Sequence, residues 1–262
     1  MIRSLGFSKK ILLAAALTVG VAFTVFIVVN DYRQRQTLKT NVLGELQQLG
    51  TLTTQNIQTW LEGRGQLVQS MGQQIAADGK EQAQLRRAIN LPAYTENFQL
   101  SYFGGADGVM FSIPAGNRPA DYDPRARGWY KAAQAAGKTV VTEPYIASST
   151  GKLVVTVATP VNQQGQMIGV AAADISLDSI SKTINSLNFG GHGYAFIVSA
   201  EGKILIHPDA NRVLKPLSEA YPDNTPKVAA GVSEIESGDK AEIIAFTPVE
   251  GPTSSRWYVA LV

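Results

Sequence analysis

Residues 11–29 carry no charged side chain, and Lys9 and Lys10 bound this apolar run on one side, Asn30 and Asp31 on the other. Its 19 residues, at a helical rise of about 1.5 Å each, reach across the hydrocarbon core of a bilayer. Arg3, Lys9 and Lys10 precede the run, so the positive-inside rule keeps residues 1–10 in the cytoplasm and sends everything after Asp31 outward. A cleaved signal peptide is the alternative, but its apolar region spans only about 7–15 residues, which favours an uncleaved transmembrane helix. From Tyr32 onward the pattern changes. Leu38, Val42, Leu46, Leu49, Ile57, Trp60, Leu67 and Met71 recur mostly three, four or seven positions apart with no intervening proline, which predicts a long helix over residues 31–75. Gln and Thr on its other faces suit it to pairing with a copy of itself or to packing along a neighbouring domain, in either case as a stalk. Gly44, Gly50, Gly63, Gly65 and Gly72 oppose perfect continuity, each by about 1 kcal/mol relative to alanine.

Beyond Asn90 short apolar runs alternate with Gly, Pro and Asn, the pattern of antiparallel sheets with a few inserted helices. A weak repeat runs through them. Leu100-Ser101-Tyr102-Phe103 leads through Ala106-Asp107-Gly108 into Val109-Met110-Phe111, and Ala195-Phe196-Ile197-Val198 leads through Ala200-Glu201-Gly202 into Lys203-Ile204-Leu205. Later, Thr159-Pro160-Val161 precedes a strand over 169–174, and Thr247-Pro248-Val249 precedes one over 257–262. The expected fold class is therefore α+β: a transmembrane helix over 11–29, a stalk helix over 31–75 and two tandem modules with antiparallel sheets, residues 90–176 and 193–262. Unrelated hairpins of an ordinary α/β protein are the alternative to a duplication. Leu177, Ile180, Ile184 and Leu187 share one face of a short helix that would open the connection, residues 177–192. The chain stops on a strand, before any second apolar span or signalling domain, so its output is expected to lie elsewhere.

At 262 residues there is room for an anchor and one large or two small globular units. The 23 Lys and Arg residues are scattered and nearly balanced by 21 Asp and Glu, which gives nucleic-acid binding no support. The absence of cysteine excludes a disulfide framework and a thiolate metal site. The segment Asp121-Tyr122-Asp123-Pro124-Arg125-Ala126-Arg127-Gly128-Trp129-Tyr130 delivers Arg127, Trp129 and Tyr130 through a proline turn to a helix start. Helix starts attract anions, a guanidinium forks onto a carboxylate, and indole and phenol rings supply apolar walls with one polar handle each. The other reading is a surface arginine beside two core aromatics. Asp174 ends the apolar strand Val170-Ala171-Ala172-Ala173 and needs either a cationic ligand or a role as cap for the following helix. Tyr122 and Tyr145 can add hydroxyls to the same pocket. An enzyme finds little footing: His192 and His207 have no metal-ligand spacing and no neighbouring nucleophile, and Asp121 and Asp123 flank a tyrosine in a solvated loop. No catalytic residue, cofactor or metal is expected, and no EF-hand ligand run is present.

The spacing Tyr122-x-x-x-x-Arg127-x-Trp129-Tyr130-x-x-Ala133 resembles the signature of double-Cache (PAS-like) sensor domains that bind amino acids. The anchor, the long helix, Thr142-Glu143-Pro144-Tyr145, residues 169–177 and Gly193-Tyr194-Ala195-Phe196 onward extend the resemblance to methyl-accepting chemotaxis receptors of the pseudomonad amino-acid type. The resemblance implies a receptor in the bacterial inner membrane whose periplasmic, membrane-distal module binds the ligand. It assigns the ligand carboxylate to Arg127 and Trp129, and the amino group to Tyr122, Tyr130, Tyr145 and Asp174. The partners it implies are a second copy through the stalk and a cytoplasmic kinase with its adaptor; the same sensor on a histidine kinase or a diguanylate cyclase is the alternative. One position departs from the family pattern, which has an aspartate where this chain has Ala147. A charge-assisted hydrogen bond to an ammonium is worth roughly 1.5–3 kcal/mol, so common α-amino acids should bind about one to two orders of magnitude more weakly. An ω-amino acid such as γ-aminobutyrate is the ligand expected on that ground, common L-α-amino acids being the alternative.

Overall fold

The computed structural model describes residues 7–185, 193–237 and 240–262; the last part of the expected connection, with Leu187 and His192, lies outside them. One unbroken helix, α1 (Phe7–Asp78), unites the expected transmembrane and stalk segments. The chain divides into two compact units, Met1–Leu46 and Gln47–Val262, so α1 contributes to both. Through residues 11–29 its apolar side chains are exposed all round, and the helix is long and apolar enough to cross a membrane.

The glycines do not interrupt α1, and two of them have a packing reason. A Cβ at Gly72 would sit 3.0 Å from Thr159 Cγ2, and one at Gly50 would sit 2.5 Å from Thr247 Oγ1. The helix backbone thus lies directly on two sheets, and the close approach offsets the propensity cost the glycines carry. Two short helices follow, α2 (Gln82–Ile89), opened by a Glu81/Gln84 capping box, and α3 (Pro92–Thr95), with proline in its first turn.

The first sheet contains β1 (Leu100–Gly105), β2 (Met110–Ile113), β3 (Val140–Val141), β4 (Tyr145–Ile146), β5 (Leu153–Gln163) and β6 (Gln166–Ser176). Its order is β2-β1-β6-β5-β3, with β4 also paired to β5, and every pairing is antiparallel. Between β2 and β3 lies α4 (Gly128–Ala136), closed by Gly137 in the left-handed region at φ 63°. After β6 comes α5 (Leu177–Asn185), followed by β7 (Ala195–Ser199), β8 (Ile204–Ile206), α6 (Leu217–Ala220), β9 (Gly231–Ser237), β10 (Lys240–Val249) and β11 (Trp257–Leu261). The second sheet has the order β8-β7-β11-β10-β9. Each sheet thus runs from its first hairpin to its last strand and then backward through the chain.

The hairpins agree at the level of single hydrogen bonds. Gly105 N–H donates to Val109 O and Gly108 N–H to Gly105 O; Ser199 N–H donates to Lys203 O and Gly202 N–H to Ser199 O. Gly108 and Gly202 take φ values of 88° and 82°, where a side chain would be strained.

Alternation along the strands gives the first sheet two faces. Thr159, Val161 and Ala171 face α1 at Gly72, while Leu100, Tyr102, Ala158, Val170 and Ala172 pack with Trp129, Tyr130 and Ala133 of α4. β6 is covered on both faces, which is why it reads as an almost continuous apolar run. Where β1 and β6 pair, a Cβ at Gly169 would meet the Gly104 carbonyl and lie 2.5 Å from Phe103 Cζ. Gly169→Ala is therefore expected to destabilise the protein by about 1–3 kcal/mol in urea unfolding; an unchanged midpoint would mean the strand junction is looser than this packing requires.

Candidate functional site

Asp174 is placed by β6, with Leu100 opposite on β1 and Thr156 opposite on β5. It is 3% exposed. The Tyr102 hydroxyl donates to its Oδ1 at 2.8 Å and the Thr156 hydroxyl donates to the same atom at 2.6 Å. Thr156 has one hydroxyl proton and gives it to Asp174, so in the 2.6 Å contact between Tyr145 and Thr156 the tyrosine is the donor. Burial pushes the Asp174 carboxyl up to about 6, against the opposing pull of these hydroxyls and of Arg118. The phenols of Tyr102 and Tyr145 are likewise raised, first by burial and then by the neighbouring carboxylate, so both stay protonated donors. Asp174 does not cap α5: Ser176 does, its Oγ accepting from Ser179 N–H at 3.3 Å.

The proline turn forms as a 3-10 turn, Pro124–Ala126, and Arg127 is the N-cap residue of α4. The Asp123 carboxylate accepts from Arg125 N–H and pairs with the Arg125 guanidinium at 2.9 Å, so that acid is committed to its own turn. Trp129 is buried against Tyr102, edge to face at 5.0 Å. The Arg127 guanidinium lies over the Tyr122 ring, 4.3 Å from its centre, and its Nε is buried without a hydrogen-bond partner.

These elements line a half-open cavity of about 530 Å³, within the range of small-molecule sites. Tyr122, Arg127, Trp129, Tyr145, Ala147 and Asp174 all line it. Tyr130 does not: its ring is buried in the core against Trp129, ring centres 5.6 Å apart. Arg118, Tyr102 and Ser254 also line it and went unrecognised in the sequence, as did Thr156 behind Asp174. Tyr102 and Thr156 were within reach of strand alternation, since they share the face of Asp174. Arg118, in a loop with no periodicity, carries no such signal.

A cavity floored by a buried carboxylate and hydroxyls, with a guanidinium and the start of α4 on its wall, can hold a molecule bearing a cation at one end and a carboxylate at the other. This chain belongs to the Cache-domain family, which it matches over residues 34–262. It is 74% identical over 260 residues, 99% of its length, to the methyl-accepting chemotaxis protein PscA of Pseudomonas syringae pv. tomato, of which it spans 41%. The ligand-binding domain of the amino-acid chemoreceptor PctB from Pseudomonas aeruginosa, in complex with L-Arg, superposes with a TM-score of 0.80 at 42% identity, covering 85% of this chain and 94% of that one. The ligand-binding domain of the amino-acid chemoreceptor PctC from the same organism, in complex with GABA, gives 0.76 at 44% identity over 84% and 99%.

Proposed function

We propose that this chain is the sensor part of a bacterial chemotaxis receptor and that its cavity binds a small amino acid. The observation that carries the reading is the presence, in one half-open cavity, of an Arg127 guanidinium whose buried Nε has no hydrogen-bond partner together with the buried Asp174 carboxylate. Kinship supports it, since related ligand-binding domains hold L-Arg and GABA. The ligand carboxylate lies on Arg127 beside Trp129, and the ammonium lies toward Asp174 and the hydroxyls of Tyr102 and Tyr145. Ala147, buried on the cavity wall, favours γ-aminobutyrate or another ω-amino acid over common α-amino acids, because no carboxylate stands there to meet an α-ammonium.

Residues 90–176 form the membrane-distal binding module and residues 193–262 a second, membrane-proximal Cache module. The helix meets the second sheet at Gly50 and the first at Gly72, so in chain order the second sheet is nearer residues 11–29. Arg3, Lys9 and Lys10 support a cytoplasmic N-terminus in the inner membrane and a periplasmic sensor. Leu38 and Val42, exposed on α1, support pairing with a second copy. Output passes to a cytoplasmic kinase and its adaptor through a signalling half of the kind the relatives' additional length accommodates.

A seam between the sheets supplies a route for the signal. Val141 N–H donates to Pro252 O, Ser254 N–H donates to Val141 O, and Glu143 accepts from Lys203 at 3.2 Å and from Ser255 at 2.7 Å. Glu143 and Ser254 of this seam also line the cavity. Lys203→Met, with the sensor grafted onto a chemoreceptor signalling half, is expected to weaken kinase control severalfold while leaving ligand affinity within about threefold, the exposed ion pair itself being worth little. Equal loss of both would remove the seam from the account.

The class of ligand is tested by thermal unfolding of the chain in lipid nanodiscs with amino acids, their des-amino acids and their decarboxylated amines. Only compounds carrying both charges should raise the midpoint. A shift produced equally by an acid or an amine alone would overturn the reading.

A further inference from the structure

The cavity holds a second arginine. Arg118 lines it beside Arg127; its guanidinium carbon lies 5.6 Å from the centre of the same Tyr122 ring that Arg127 covers at 4.3 Å, so the two carbons are no farther apart than those distances combined. Arg118 Nη2 is buried without a hydrogen-bond partner, as is Arg127 Nε. Neither guanidinium forms a salt bridge with a carboxylate among the described residues. Gly116 makes room for this arrangement: a Cβ there would come within 2.9 Å of Arg118 Nη2 and 3.1 Å of Ser149 Cβ. Arg118 Nη2 thus lies no farther from Ser149 Cβ than those two distances combined, and Ser149 lines the cavity without a charge.

The charges do not balance without a ligand. Of the two acids bordering the cavity, Glu143 is already taken by Lys203 and Ser255, which leaves Asp174 against two guanidiniums. A neutral amino acid, α or ω, satisfies one guanidinium with its carboxylate and Asp174 with its ammonium, and leaves the half-buried Arg118, which attracts Asp174 without a salt bridge, with its buried Nη2 unpaired. A molecule with two carboxylates and one ammonium pairs every charge, and unpaired buried donors are what such sites discriminate against most strongly.

We propose that the cavity is specific for an acidic amino acid, with Arg118 as the specificity-determining residue that holds the second carboxylate. The inference rests on the amino-acid reading of the same cavity and replaces the ω-amino acid favoured by Ala147 alone.

Calorimetric titration of the whole chain in nanodiscs with aspartate, glutamate, their amides, alanine and γ-aminobutyrate tests it, alongside Arg118→Gln and Arg118→Lys. Aspartate or glutamate should bind the wild type about ten- to a hundredfold more tightly than the amides or γ-aminobutyrate. Arg118→Gln should erase that preference, and Arg118→Lys should keep part of it. Tightest binding of a neutral amino acid or of γ-aminobutyrate, or a preference for acids that survives in Arg118→Gln, overturns this inference and leaves the amino-acid reading standing. If no amino acid binds the folded wild type, the amino-acid reading fails and this inference with it.

Discussion

Arg127→Ala is expected to weaken amino-acid binding by about two to three orders of magnitude without unfolding the protein. Truncating one partner of a buried, hydrogen-bonded charge pair commonly removes 2–5 kcal/mol, and here the lost partner is the fork that meets the ligand carboxylate. The residue does no comparable work in the empty protein. Its Nε has no acceptor, and its guanidinium otherwise stacks over Tyr122 and attracts Asp123, which is already paired with Arg125. The unliganded Arg127→Ala protein should therefore unfold at the wild-type midpoint or slightly above it. Arg127→Lys separates charge from geometry: it keeps the positive charge but not the planar fork, and an intermediate loss of about tenfold is expected. A large drop in unliganded stability would instead make Arg127 a structural residue, and its effect on binding indirect.

The second large effect is a pH dependence centred on Asp174. With the carboxyl raised to about 6 by burial, the empty site holds a proton below that pH, and an ammonium can enter only against the ionised form. Affinity should be flat above pH 7 and fall by about tenfold per pH unit below 6, one proton being released for each ligand bound. Stability of the unliganded protein runs the opposite way. A carboxyl raised from 3.8 to about 6 stabilises the fold fully below pH 4, and that contribution is lost as pH rises through 6. Asp174→Asn, which can still accept from Tyr102 and Thr156, should therefore be more stable than the wild type at pH 8, by up to about 3 kcal/mol, with the difference gone at pH 4. The same variant should lose ligand binding at every pH. Affinity independent of pH between 5 and 8 would place the ammonium away from Asp174.

What the sequence reveals about this site follows from how each residue stands out from its neighbours. Asp174 is legible because a carboxylate at the end of an alanine and valine strand is a physical anomaly that demands a partner. Arg127 and Trp129 are legible because a proline turn feeding a helix start fixes their direction. Tyr130, adjacent to Trp129 in sequence, packs its ring in the core. Thr156 and Tyr102 look like ordinary strand residues until the register of β1 and β5 against β6 puts both hydroxyls on one oxygen. Arg118 is hidden because its loop has no pattern, and only the fold brings it onto the Tyr122 ring. The two sheets share a strand order, which no local propensity encodes. The glycines of α1 lower its helix propensity in the sequence, yet at Gly50 and Gly72 they let the helix lie against strands distant along the chain.

A crystal structure of the chain grown with its tightest-binding amino acid tests the central claim most directly. The account predicts the ligand inside the cavity, its carboxylate on the Arg127 guanidinium and its ammonium within hydrogen-bond distance of Asp174. A ligand bound in the reverse orientation, or anywhere outside that cavity, would contradict it.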